Sequence, residues 1–172
     1  ITGGGDKVHF VENSHVFCYD NTDLVIGGIR VDQITKKFLG EFCNSYEIDG
    51  KEEDKAFEHF CNFCCVNREN GIVDIKLEEF STGKNAQGID GIGIIVNHKL
   101  ATSVSEIEFQ IQNSRMLDVN FVFIQAKTSS SFDNTLMLNF FEFTKSFFGD
   151  DASEFTTQEV KDFFEMKEYI YN

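Results

Sequence analysis

The sequence predicts a mixed α/β domain in which helices pack against a central sheet. Some segments place an apolar residue at every third or fourth position, as one face of a helix does, and others alternate or are continuously apolar, as strands are. The two kinds of segment are interspersed along the chain, an order that is typical of layered α/β proteins. The 172 residues suffice for one domain with a sizeable core.

Residues 1–28 come first, and we expect them to form an N-terminal extension to a domain over residues 29–172. Within the extension, residues 8–11 and 15–19 are suited to pair as a short hairpin. Two helices should follow, over residues 31–48 and about 52–67. Their apolar positions are Ile34, Phe38, Phe42 and Tyr46 in the first helix and Phe57, Phe60, Cys61, Cys64 and Cys65 in the second.

Three strands are expected in the middle of the chain. Over residues 73–78, apolar and charged residues alternate, which is typical of a half-buried strand. Residues 91–96 are apolar or glycine throughout, as in a strand that is covered on both faces. Residues 120–128 form the third strand, and the polar segment 81–88 is the turn between the first two.

Three further helices are predicted after residue 100. One spans residues 103–117, where Ser103 and Glu106 have the spacing of a capping box. The last begins near Thr156, with Glu159 as its expected capping partner. The helix between them carries an apolar stripe of Leu136, Phe140, Phe143 or Thr144, and Phe147. The stripe of the last helix comprises Val160, Phe163, Phe164 and Ile170.

Composition and charge limit the classes of function. No segment approaches the roughly 18 apolar residues of a membrane span, and no signal peptide opens the chain, so we expect a cytoplasmic location and no membrane partner. The net charge of −14 counts against nucleic-acid binding, because phosphate contacts come mostly from Lys and Arg. Since the chain begins with Ile1, we expect it to be part of a longer protein that continues after residue 172.

The cysteines do not predict a zinc site. They are five, an odd number without regular spacing, which indicates a reducing compartment rather than a disulfide framework. Cys61, Cys64 and Cys65 lie near His59, but a single Cys-x-x-Cys lacks the second pair of a structural zinc site. Packing as buried thiols is therefore the favoured interpretation. The chain also lacks a Gly-x-Ser-x-Gly elbow, a P-loop and a Rossmann fingerprint.

Three polar residues stand where a buried sheet does not need them. Asp90 precedes the second predicted strand, and Gln125 and Lys127 lie within the third. Since side chains alternate along a strand, Gln125 and Lys127 share one face and Ala126 occupies the other. A lysine in a buried strand needs a negatively charged partner, and Asp90 on the neighbouring strand can supply it.

These residues suit metal-dependent hydrolysis of a phosphodiester. A divalent cation polarises the phosphate and lowers the pKa of a bound water, and Mg²⁺ prefers oxygen ligands. Asp90 is the expected anchor of the ion, with the Gln125 side-chain carbonyl and the Ala126 main-chain carbonyl as further ligands. Lys127 would orient or deprotonate the attacking water. Each residue also has an interpretation without catalysis. Asp90 could cap a turn, Lys127 could extend to solvent from the end of a strand, and Gln125 could satisfy main-chain groups at a sheet edge.

The same residues carry a resemblance to a family of nucleases. Gly88-Ile-Asp-Gly91 and Gln125-Ala-Lys127 resemble the PD-(D/E)xK signature, with Gln in the acidic position and 34 residues between Asp90 and Gln125. The longer segments GKNAQGIDGIGIIVN (83–97) and FVFIQAKTS (121–129), with Phe132-Asp133 close behind, are similar to the N-terminal region of abortive infection phage resistance (AIPR) proteins. The similarity covers about residues 30–150.

The resemblance implies a restriction-endonuclease-like core, with three layers, α/β/α, around a central mixed sheet. It also implies a bacterial antiphage protein that uses Mg²⁺ or Mn²⁺, and a glutamate on the first core helix that faces the site, which Glu58 matches. Two departures from the family stand out. Gln125 replaces the usual acid and so removes one negative charge from the metal site, and residues 98–119 must bridge an unusually long interval between the two strands.

Functions of different classes remain open from the sequence. The first is a DNA endonuclease whose grip on DNA comes from the rest of the protein, from a homodimer groove or from a partner, because the domain itself is acidic. The second is a nuclease-derived binding or assembly module without catalysis, which Gln125 and the net charge favour. The third is an RNase that uses the same site.

Overall fold

The computed structural model describes the main chain of residues 7–11, 15–19, 23–27, 33–48, 53–70, 76–84, 86–127 and 134–172. Side chains are described for residues 35–48, 54–68, 76–84, 86–127 and 134–172. The strands are β1 (Lys7–Val11), β2 (His15–Tyr19), β3 (Asp23–Gly27), β4 (Gly91–Val96), β5 (Lys99–Ala101) and β6 (Val119–Lys127). The helices are α1 (Gln33–Ser45), α2 (Glu53–Asn70), α3 (Val104–Asn113), α4 (Asn134–Phe147) and α5 (Gln158–Tyr171), with short 3-10 helices at Leu77–Phe80 and Ala152–Glu154.

The described strands form one mixed sheet in the order β1-β3-β2-β6-β4-β5. β1 is parallel to β3, and the remaining neighbours are antiparallel. The long strand β6 therefore lies between β2 and β4, at the centre of the sheet. The predicted mixed α/β class is confirmed, and β5 and α3 occupy the interval between the two strands that were predicted to carry the site.

Helices cover the two faces of this sheet. Along β6, Phe121 and Phe123 pack into a core with α4 and α5, whereas Val122 and Ile124 pack into a second core with α1 and α2. β4 alternates in the same way, because Ile92, Ile94 and Val96 join the first core and Ile95 joins the second. We refer to these faces as the α4–α5 side and the α1–α2 side.

The N-terminal strands pair differently from the predicted hairpin. β3 lies between β1 and β2, so the segments 8–11 and 15–19 are not neighbours, and β2 pairs with β3 and with β6. The alternation of apolar residues indicates where strands are, but not which strand each one pairs with. Since β2 runs along β6, the segment that was expected to be an extension belongs to the central sheet.

The prediction of a strand over residues 73–78 is wrong at its C-terminal end. Leu77–Phe80 is a 3-10 helix, and residues 73–75 lie outside the described residues. Leu77 and Phe80 are both buried, three positions apart, which is the repeat of a 3-10 helix. Three apolar residues alternating over a short segment are too few to distinguish the two periods.

Several details of the predicted helices change. In α1, Phe42 is buried but Phe38 is exposed, and Cys64 is exposed on α2. Helix α3 begins after Ser103, whose hydroxyl accepts the N–H of Glu106 as predicted, but it ends at Asn113 rather than at residue 117. The cap of α5 is Thr157, not Thr156, and its hydroxyl accepts the N–H of Val160, so the predicted role of Glu159 is wrong.

No helix within the described ranges is both long enough and apolar enough to cross a membrane.

Phe147 allows a test of the α4–α5 core. It is fully buried, and its ring centroid lies 5.0 Å from that of Phe123, whereas Phe141 on the same helix is 39% exposed. Because truncation leaves a cavity, Phe147→Ala should lower the free energy of unfolding by about 3–5 kcal/mol, and Phe141→Ala by about 1 kcal/mol or less. Urea denaturation measures both values, and equal losses would contradict the assignment of the buried face.

Candidate functional site

Asp90 lies where the β4–β6 ladder ends. The ladder pairs Gly91 with Ile124, and the N–H of Asp90 also donates to the Ile124 carbonyl, at 2.8 Å. Two successive residues thus share one partner, as at a β-bulge. The Oδ2 atom of Asp90 accepts the N–H of Ala126 at 2.7 Å, so the carboxylate takes the place of the next ladder partner.

The main chain of Ala126 points at Asp90. Ile124 directs its carbonyl toward β4, and main-chain groups two residues apart on a strand point the same way. The N–H of Ala126 follows this rule, because it reaches the Asp90 carboxylate. The Ala126 carbonyl, the predicted main-chain ligand, is therefore directed toward the same side of β6 as its N–H.

Helix α2 packs over this end of the ladder and presents polar groups to it. Asn62 is 1% exposed, and its Nδ2 donates to the Asp90 main-chain carbonyl at 2.8 Å. A Cβ atom on Gly91 would lie 2.6 Å from the Asn62 side chain, so a side chain there would displace the Asn62 amide. Glu58 precedes Asn62 by four residues, which places both on one face of the helix.

The electrostatics of the site centre on Asp90. Burial raises the pKa of its carboxyl from 3.8 to about 7; the bond from Ala126 N–H opposes this shift, the charge of Glu58 adds to it, and Lys55 and Lys127 oppose it. Burial raises the pKa of Glu58 as well. The charge of Glu58 thus reaches Asp90, in a site where burial disfavours negative charge on both carboxyl groups. A divalent cation would relieve both effects.

Gln125 approaches the same loop from the other face. It is 4% exposed, its Nε2 donates to the Gly88 carbonyl, and its Oε1 has no hydrogen-bond partner among the described residues. By alternation with Phe123 it lies on the α4–α5 side, whereas Asp90 interacts with Glu58 on α2. The role of Gln125 as an ion ligand stays a prediction.

Lys127 is half-buried at the end of β6, and its charge is close enough to lower the pKa of Asp90. The structure therefore brings Asp90, Ala126, Glu58 and Lys127 to one end of the β4–β6 ladder. Sequence reasoning missed Asn62. The available signal was a polar residue inside the otherwise apolar stretch FCNFCCV, four positions after Glu58.

The thiols of α2 are poor ligands in this setting. Cys61 is buried, and burial is the first cause that raises the pKa of its thiol, followed by the charges of Cys64, Asp90 and Glu58. Cys64 is exposed, yet desolvation raises its pKa to about 11. Within the described part of the chain, no group of three or more His, Cys, Asp and Glu residues is placed to hold a metal ion. The predicted ligand set differs from such a group because it includes an amide and a main-chain carbonyl.

Comparison with protein-family profiles, with curated proteins and with solved structures gives no match. The resemblance to AIPR proteins accordingly stays a prediction.

The raised pKa of Asp90 predicts how stability depends on pH. Its carboxyl binds a proton more tightly in the folded chain than in the unfolded chain, so wild-type stability should fall as the pH rises from about 4 through about 7. Asp90→Asn keeps an oxygen for the Ala126 N–H but carries no charge. At pH 8 without metal it should be more stable than wild type by roughly 2–4 kcal/mol.

Thermal denaturation in EDTA at pH 5 and pH 8 measures this difference. Asp150→Asn, at an exposed position after α4, is the control and should follow the wild type. Parallel pH profiles for Asp90→Asn and the wild type would refute the assignment of a destabilising buried charge.

Proposed function

We propose that this chain carries the active site of a metal-dependent nuclease that hydrolyses DNA phosphodiester bonds in bacterial antiphage defence. The observation that carries the proposal is the hydrogen bond between the Asp90 carboxylate and the Ala126 N–H, beside Glu58 and Lys127. Helices on two faces of a mixed sheet, with Asp90 and Lys127 at one end of adjacent strands, support a restriction-endonuclease-like core.

The proposed ligands of a Mg²⁺ or Mn²⁺ ion are Asp90, Glu58 and the main-chain carbonyl of Ala126. All three supply oxygen, which these ions prefer, and a bound cation would offset both the burial of Asp90 and the nearby charge of Glu58. Gln125 lies on the α4–α5 side. The geometry therefore favours Glu58 over Gln125 as the second side-chain ligand. When bound, the ion would polarise the phosphate and lower the pKa of a water.

The remaining chemistry belongs to the side chains. The charge of Lys127 is close enough to lower the pKa of Asp90, although by alternation its side chain leaves β6 on the same face as that of Gln125. From the end of the strand, its ammonium would offset negative charge that develops on the phosphate oxygens, or orient the attacking water. Lys55 supplies a second positive charge near Asp90, from α2. Burial of the site strengthens each of these interactions because it lowers the local dielectric.

Grip on the substrate must come from outside this acidic domain. With a net charge of −14, the chain repels a phosphate backbone, so we infer that another part of a longer protein, a second copy or a partner holds the DNA. RNA is the alternative substrate for the same site.

A second candidate is a nuclease-derived binding or assembly module without catalysis. Two observations favour it: the net charge, and the amide at position 125, whose Nε2 is bound to the Gly88 carbonyl. The two candidates differ in what the loss of Lys127 would do.

The variant Lys127→Ala distinguishes the nuclease from the binding or assembly module. If the chain is a nuclease, loss of the ammonium should lower the cleavage rate by at least ~100-fold, because the charge acts on the reacting phosphate and water. Supercoiled plasmid and structured RNA, each with Mg²⁺, Mn²⁺ or EDTA, should be assayed with the intact protein. Lys145→Ala, at an exposed position on α4, is the control and should cleave like the wild type. Metal-dependent cleavage that survives Lys127→Ala would overturn the proposed role, and no cleavage by the wild type would favour the module.

Metal binding has its own test, independent of cleavage. At about 100 times its Kd, Mn²⁺ should raise the free energy of unfolding of the wild type by about 2.7 kcal/mol. Asp90→Asn should lose this stabilisation, and Glu58→Gln should retain only part of it. Differential scanning fluorimetry with and without EDTA provides the measurement, and an equal shift in Asp90→Asn would exclude Asp90 as the anchor.

A further inference from the structure

We propose that three buried side chains, Gln125, Thr82 and Asn62, act as positioning residues for Asp90. They bind the main-chain carbonyls of Asp90 and of the two residues before it, and so fix where the Asp90 side chain points. The structural part of this proposal stands by itself, and its consequence for metal binding rests on the proposed function. None of the three is assigned contact with the substrate.

Each side chain donates to one of three successive carbonyls. Gln125 Nε2 donates to the carbonyl of Gly88, the Thr82 hydroxyl to that of Ile89, and Asn62 Nδ2 to that of Asp90, the last at 2.8 Å. The exposed fractions of the donors are 4%, 0% and 1%. They come from β6, from the segment before the loop and from α2, so the loop is gripped by three separate elements.

The loop needs such contacts because the ladder does not reach it. Strand β4 begins at Gly91, and the turn before Asp90 runs through positive φ angles of 54° at Gln87 and 86° at Gly88. A Cβ atom on Gly88 would lie 3.2 Å from Gln125 Nε2, so the amide is packed closely against the turn. Without the donors, these carbonyls would lose the hydrogen-bond partners that the structure gives them, which costs free energy where water does not replace the donor, as at the buried Ile89.

The side-chain amides of Asn62 and Gln125 are oriented so that their N–H groups, and not their oxygens, make the hydrogen bonds to the loop. Asn62 Oδ1 and Gln125 Oε1 are buried without hydrogen-bond partners among the described residues, whereas both nitrogens are bonded. An ionised carboxylate has no hydrogen to donate. A glutamate at position 125 would therefore set negative charge against the Gly88 carbonyl. Gln125, which stands where the family has an acid, is therefore the hydrogen-bond donor that positions Asp90.

The decisive variants are Gln125→Glu and Gln125→Met, which keep the length of the side chain but lose the donor, and Thr82→Val, which keeps the shape but loses the hydroxyl. Gln112→Glu and Asn113→Asp, on the exposed face of α3, are controls that add one negative charge each. We expect the three test variants to bind Mn²⁺ about 10-fold more weakly, as outer-sphere partners of a metal site do. Isothermal titration calorimetry measures the affinity.

Hydrogen exchange at the Ala126 N–H provides a readout that needs no metal. This N–H is bonded to the Asp90 carboxylate, so a loosened Asp90 should speed its exchange relative to the amides of residues 92–96 in the same protein. The controls should leave that ratio unchanged. A general loss of stability would speed the exchange of both groups of amides and leave the ratio near that of the wild type, which would count against positioning.

The outcomes separate this proposal from the proposed function. If the wild type binds no Mn²⁺, the metal site fails, and the Ala126 exchange ratio alone decides whether Asp90 is positioned. Tighter Mn²⁺ binding by Gln125→Glu would overturn the proposal, because it would make position 125 a ligand. An unchanged exchange ratio in both Gln125→Glu and Thr82→Val would overturn it as well. Should one variant not fold, the remaining two carry the same comparison.

Discussion

The end of the β4–β6 ladder depends on one hydrogen bond, from the Ala126 N–H to the Asp90 carboxylate. A half-buried main-chain N–H beyond the last strand pair needs an acceptor, and leaving it without one is costly. The aspartate supplies that acceptor and is drawn into an environment that disfavours its charge. The contact that completes this end of the sheet is therefore the same one that buries the Asp90 carboxylate.

The sequence was sufficient to predict the α/β class, β4, β6 and the approximate positions of the helices. The helices have a clear period of apolar residues, and the two strands lie in short, almost continuously apolar segments. It was insufficient for the pairing of β1, β2 and β3, since pairing depends on contacts between distant segments. The short 3-10 helix at Leu77–Phe80 was mistaken for a strand, because the alternation of three apolar residues, Val73, Ile75 and Leu77, is too short to establish a period.

Within the site, Asp90, Gln125 and Lys127 stand out in the sequence as polar residues at the edges of apolar strands. Their relation in space was harder to foresee. The bulge-like irregularity at Asp90 and Gly91 shifts the alternation by one residue, which is enough to turn a side chain to the other face of a sheet. Asn62 and Thr82 have no distinctive sequence signal, because each matters through a main-chain carbonyl that the fold brings to it, 28 residues away for Asn62 and 7 for Thr82.

Because β2 pairs along β6, the first part of the chain protects the central strand of the sheet from exposure at an edge. Position 17 lies opposite Gln125 and position 15 lies opposite Lys127 in the register of these strands. Removing β2 would turn β6 into an edge strand with unsatisfied main-chain groups, and such edges recruit strands from other molecules. A truncated version would thus be prone to self-association through the very strand that bears Lys127.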